Sequence, residues 1–102
     1  MATIQAIWVP EPTGGSNGAV TTGATTGEVV IGFRRLFRIW SDAPSGLNIA
    51  FGQSGMAAPT SGSYAIGISP QDFESGNDWD RMRFYNQNAS TSFYFIQILS
   101  KF

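Results

Sequence analysis

Two stretches of the chain share one layout: Arg38–Gly52, RIWSDAPSGLNIAFG, and Arg83–Gln97, RFYNQNASTSFYFIQ. Set side by side, Arg38 matches Arg83, Ile39 matches Phe84, Trp40 matches Tyr85 and Ser45 matches Ser90. Each stretch is an apolar-aromatic run, a polar tip and an apolar return. Alternating side chains mark a strand, because successive residues point to opposite faces of a sheet. Leu47, Ile49 and Phe51 share one face of the first return run. Ahead of the second tip, Met82 and Phe84 share one face, and Trp79, Arg81, Arg83 and Tyr85 share the other. The tips hold Ser, Asp, Pro, Gly and Asn, which favour turns. The two stretches therefore read as two β-hairpins whose inward faces make one core. Identity between them is slight, so they are one physical unit used twice and not a duplication.

The rest of the chain extends this pattern. No segment carries a helical stripe, and turn residues punctuate the sequence throughout. The reading is an all-β chain, a single antiparallel β-sandwich, jelly-roll-like or Ig-like, with about seven strands. The expected strands are Thr3–Val9, Glu28–Phe33, 35–40, 47–52, Tyr64–Ile68, 79–85 and 92–99. Between the first two lies PTGGSNGAVTTGATTG, residues 12–27. It reads as a long Gly/Thr-rich loop, or as an arm that orders on a neighbouring subunit. Residues 1–102 thus form one domain, with 1–27 a strand plus flexible arm and 28–102 the sandwich core. SPQDFESGND, residues 69–78, reads as a polar loop.

At 102 residues, 42% hydrophobic and 14% aromatic, the chain can bury one core. Only 13% is charged, about half the usual share. Such a surface suits a protein covered by partners. The net charge is −1, and the basic residues (Arg34, Arg35, Arg38, Arg81, Arg83 and Lys101) are interleaved with apolar ones. No basic stripe recommends nucleic acid or an anionic membrane as partner. Without cysteine, the fold must be held by its core, by metal or by oligomerisation. MATIQAIWVPEP lacks the features of a secretory leader, and no apolar run is long enough to span a membrane. The expected site of synthesis is the cytoplasm.

The catalytic vocabulary is thin. There is no histidine and no cysteine, Lys101 is the one lysine, and no GxSxG elbow occurs. No catalytic residue is assigned, and the chain reads as a non-enzyme. Asp72, Glu74, Asp78 and Asp80 offer a carboxylate pair in principle, and with Asn77 a set of calcium ligands. Their spacing misses the EF-hand, so they read as a solvated loop in which Asp80 balances Arg81 or Arg83. No metal or cofactor is assigned. Asn88-Ala89-Ser90 matches a glycosylation sequon but reads as tip chemistry. Trp8, Trp40, Trp79, Tyr64, Tyr85 and Tyr94 are candidates for a sugar-binding platform. The candidate partner interface is Trp8, Trp79, Arg81, Arg83 and Tyr85, since arginine and aromatics are enriched at interfaces. The same composition also suits arginine stacked on rings across an ordinary sheet face.

With its Cys-free composition, its Gly/Thr-rich start and the ending DRMRFYNQNASTSFYFIQILS, the chain resembles small β-sandwich structural proteins of tailed-bacteriophage virions. The likeness covers mostly residues 33–99 and lies in layout, with no fixed motif and so no residue to transfer. It implies a head decoration, or cement, protein that binds the major capsid protein lattice in the virion, as a homo-oligomer with a trimer favoured. The alternative is a carbohydrate- or receptor-binding module of a tail or head appendage. In the first case the sandwich docks on the shell while residues 12–27 or Thr3–Val9 reach a neighbour. Deleting residues 1–27 is then expected to leave a folded domain that binds particles more weakly.

Overall fold

The computed structural model of the chain describes residues 15–102, so Trp8 and the expected Thr3–Val9 strand lie outside it. The described residues form eight strands. They are Gly15–Val20 (β1), Val29–Val30 (β2), Arg35–Ser41 (β3), Leu47–Gly52 (β4), Ala65–Ile66 (β5), Gln71–Glu74 (β6), Arg81–Tyr85 (β7) and Ser92–Lys101 (β8). They make two four-stranded antiparallel sheets, β1-β8-β3-β6 and β2-β7-β4-β5. The chain is a single β-sandwich. β1 pairs with β8, β2 with β7, β3 with β6 and β4 with β5, as in a long ribbon folded over on itself. Contacts of β3 with β8 and of β4 with β7 close the roll. This is the jelly-roll member of the two expected arrangements.

The two expected hairpins are a correction. β3 and β4 lie in opposite sheets, and so do β7 and β8. Each unit is an arch that crosses the sandwich, and the arches interlock, with Ile39 level with Ile96 and Ile49 level with Phe84. The tips account for this. In a hairpin, the turn's backbone groups bond their own two strands. Here the Asn88 amide donates to Gly46 O at 2.9 Å, and its oxygen accepts from Ser45 N at 2.8 Å, joining one tip to the other. Asn86 donates to Val20 O at 2.7 Å and Ser90 O at 2.9 Å, and its oxygen accepts from Asn88 N at 2.8 Å. Both asparagines are buried, so their amides satisfy backbone groups that would otherwise be stranded away from water.

Between the sheets lie Val20, Phe37, Ile39, Leu47, Ile49, Ile66, Met82, Phe84, Tyr94 and Ile96. Met82 and Phe84 face this core, as their alternation predicts. Phe84 of one sheet stacks on Tyr94 of the other, with centroids 4.5 Å apart.

The Gly/Thr-rich segment is also a correction. Residues 15–20 are an edge strand in register with β8, from Gly15 opposite Gln97 to Val20 opposite Ser92. Val20 is buried in the core. Small residues give β1 little strand preference of its own, but they let β8 lie over it. A Cβ on Gly18 would meet the Tyr94 hydroxyl at 2.8 Å. Beyond β1 the chain runs beside β7, where Thr26 N donates to Phe84 O at 2.9 Å and Thr25 bridges Tyr85. Residues 15–27 therefore belong to the sandwich, and the expected boundary at 27/28 falls inside it. Removing 1–27 would strip an edge from one sheet, so the arm-deletion experiment has to stop before Gly15.

Three smaller differences follow from backbone geometry. The expected Glu28–Phe33 strand shortens to Val29–Val30, because Ile31 N and Gly32 N both turn to Asp80 O. The Tyr64–Ile68 strand shortens to Ala65–Ile66, and its supposed common face splits. Ile66 is fully buried, while Tyr64 and Ile68 are exposed as the chain crosses to the other sheet. Gln71–Glu74 is a strand within the expected polar loop, and Phe73 from it packs against the core.

Candidate interaction face

The sequence-predicted interface residues do not share one surface. Trp79 precedes β7, and its ring packs on Phe51 at 4.2 Å and edge-on to Phe37 at 5.7 Å. It belongs to the core end. Arg81, Arg83 and Tyr85 do point outward from the β2-β7-β4-β5 sheet, level with Gly52, Ala50 and Asn48 of β4. The chain's own acceptors engage both arginines. Arg81 Nη1 donates to Glu28 at 2.9 Å, while its Nε and Nη2 hold both oxygens of Asp80 at 3.0 and 3.1 Å. The second oxygen of Glu28 accepts from Gly55 N at 2.8 Å. Arg83 donates to Thr26 O at 3.0 Å and Met56 O at 3.1 Å.

These contacts fasten the 53–64 loop to the outer side of that sheet and tie it to residues 24–28, which run beside β7. The small β4 residues leave room for the loop. A Cβ on Gly52 would meet Met56 Cβ at 2.8 Å, and Asn48 is buried as it donates to Ser63 O at 2.7 Å. The charges respond to each other. Hydrogen bonds from Arg81 hold the Glu28 and Asp80 carboxyls below their ordinary values, and the two carboxylates raise Arg81 in turn.

The acidic segment does not converge on one point either. Asp72 is held by Arg38 through two bonds of 2.8 and 3.1 Å, and Asp80 by Arg81. Among the described residues no group of three acidic or other ligating side chains could hold a metal ion. The Asn88 side chain is buried and engaged, so the sequon offers no free acceptor.

The opposite outer face, on β1-β8-β3-β6, is built differently. Successive rows cross it. One runs Gln97, Arg38, Asp72, and the next Asn17, Phe95, Trp40. Phe93 stands level with Ala19. Phe95 and Trp40 stack with centroids 5.6 Å apart and planes 18° apart. Phe93 is 44% exposed. Gly67 O accepts from Ser41 N, which brings the 67–70 crossing alongside the end of β3, and Ile68 there is 72% exposed. The result is an apolar band across the sheet, bordered by the Arg38–Asp72 ion pair. It can dock an apolar surface or a flat ring.

The interface reading named none of these residues, although Trp40 stood among the sugar-platform candidates. The signal was present in Phe93-Tyr94-Phe95-Ile96. Tyr94 and Ile96 go to the core, so Phe93 and Phe95 must face out, and a strand apolar on both faces is the mark of a sheet covered on both sides.

Compared with protein-family models, with curated proteins and with solved structures, the chain matches none.

Proposed function

We propose that this chain is a non-enzymatic structural protein of a phage virion, a decoration or cement protein that binds the major capsid protein lattice. It docks through the outer face of the β1-β8-β3-β6 sheet. The observation that supports this reading most is the apolar band in which exposed Phe93 adjoins the half-buried, stacked Phe95 and Trp40, on a sheet whose chain carries few charges. Contiguous exposed apolar surface on a small domain marks a place where something binds. The jelly roll serves viral capsid and lectin domains alike, a likeness of fold only. Burying a phenylalanine against a partner is worth about 1.5–3 kcal/mol. On a lattice, each link makes the next one intramolecular, so modest single contacts add to firm attachment.

The test is binding of purified protein to undecorated heads, read as copies retained per particle. Phe93→Ser with Phe95→Ser is expected to abolish retention while the fold survives. Full retention would overturn the proposal.

A second reading, a carbohydrate- or receptor-binding module of a tail or head appendage, draws on the same face, where Gln97, Arg38 and Asp72 border the rings with hydrogen-bonding groups. A glycan array separates the two. Sugar binding that is lost with Trp40→Ala, alongside no retention on heads by the unaltered protein, would favour the module.

A further inference from the structure

The four sheet edges are not protected alike. β2 and β5 have two residues each, too short to template another strand. β6 carries Asp72 and Glu74 and follows Pro70. Short strands, charges and proline are the usual guards against edge pairing. β1 has none of them. It is six residues long, GSNGAV, with no charge and no proline, and among the described residues nothing pairs with its outer edge. Asn17 and Ala19 are small and exposed, so a strand laid beside β1 would come level with the rows that contain Phe95 and Phe93.

The chain carries a segment suited to that place. Thr3–Val9, TIQAIWV, carries Ile4, Ala6 and Trp8 on one alternating face and Thr3, Gln5, Ile7 and Val9 on the other, so one face is apolar throughout and the other in its second half. That composition suits a strand with at least one face covered. Between it and β1 stands Val9-Pro10-Glu11-Pro12. Proline fixes its own φ and pushes the preceding residue to extended backbone, so Val9 and Glu11 favour extension. A Pro-rich spacer of this kind is stiff, which favours a neighbouring copy over the chain's own β1 as the place where Thr3–Val9 pairs.

We infer that the open edge of β1 accepts the Thr3–Val9 strand of a second copy of this chain. Each copy then gives an arm and receives one. Such a head-to-tail contact closes into a ring when its rotation permits, and the added strand gains main-chain hydrogen bonds along β1. Trp8 arrives on the Phe93 side or the Tyr94 side of β1 according to the register. This goes beyond the docking proposal, which needs the outer face and not the edge.

The test is sedimentation velocity on the full chain, free of particles, over a concentration series. The unaltered protein is expected to form an oligomer that dissociates on dilution. Ile7→Pro, which spoils the arm, and Ala19→Lys, which charges the edge, should each weaken association by about tenfold or more. Asn17→Lys replaces Ala19→Lys if the latter lowers the melting temperature. Mixed in equal amounts, the arm variant and the edge variant should recover a heterodimer, because the intact arm of one meets the intact edge of the other. A monomer at every concentration would overturn the inference, including one whose residues 3–9 resist hydrogen exchange because they fold onto their own β1. So would association that survives both edge variants. Particle retention is measured separately, so failure here leaves the docking proposal standing and the reverse also holds.

Discussion

The two outer faces of this sandwich begin from the same alternation and end in opposite states. On the β2-β7-β4-β5 sheet, β4 presents Asn48, Ala50 and Gly52 outward, and the 53–64 loop settles into the room they leave. Arg83 and the Arg81–Glu28 pair fasten that loop over the sheet and tie it to the 24–28 segment beside β7. On the β1-β8-β3-β6 sheet, Trp40, Phe93 and Phe95 stand where small residues would have to be for a loop to lie flat. The lesson concerns arginine beside aromatic residues. The face richer in such residues by sequence is the one the molecule closes from within, and the face left uncovered among the described residues carries aromatic rings beside the Arg38–Asp72 pair.

The largest effect should come from a change that strikes both faces together. Asn88→Ala leaves Gly46 O without its donor and Ser45 N without its acceptor, while the Asn86 oxygen keeps its bond from the backbone N–H of residue 88. Each buried group left unpaired costs about 1–3 kcal/mol, so a loss of about 3 kcal/mol is expected in denaturant melts. Gln at the same position should recover little, since the extra methylene has no room beside a buried tip.

Arg83→Met should act on one face alone. It leaves Thr26 O and Met56 O without their donor and costs about 1–2 kcal/mol. Hydrogen exchange should quicken in 53–60 and 24–28 while β8 amides keep their protection. Equal quickening in both sheets would break the comparison, because it would mean that the loops are not local covers.

Acid sharpens it further. Arg81 depresses the Glu28 and Asp80 carboxyls, so the stability they contribute is complete above their unfolded values, near pH 4. It is lost as pH falls through the lower folded values. Melting temperature should therefore drop below about pH 4, and Arg81→Met should flatten that drop. Both carboxyls are solvent-accessible, and added salt should reduce the effect.

The smallest change in stability belongs to the open face. Phe93→Ser should alter stability by no more than about 0.5 kcal/mol. A loss above about 2 kcal/mol in the melt would show that this ring is already packed within the molecule.

Much of the architecture was legible in the sequence. Period-two alternation placed β3, β4, β7 and β8 and put Met82 and Phe84 in the core. Sheet membership was not legible, because a hairpin and an arch present the same inward residues. What separates them is where the tip's polar groups bond, and the partners of Asn86 and Asn88 lie far away in sequence. β1 was missed because its strand character comes from Tyr94 lying over Gly18, a property of β8. Trp79 was placed on the wrong surface because the alternation was run past the start of β7. At Asp80 the backbone is already turning, its carbonyl shared by Ile31 N and Gly32 N. The apolar band could have been found by asking why β8 has rings on both sides.

The pairing of first strand with last also has a consequence for biosynthesis. β1 leaves the ribosome ahead of every other described strand, and its ladder partner β8 leaves after all of them. The nested order means that the β4–β5 turn can close while the chain is still growing, and that each enclosing pair must wait for a later strand. Pairings so distant in sequence are slow to form. During that wait β1 has no ladder partner, because β8 is the strand it pairs with in its sheet.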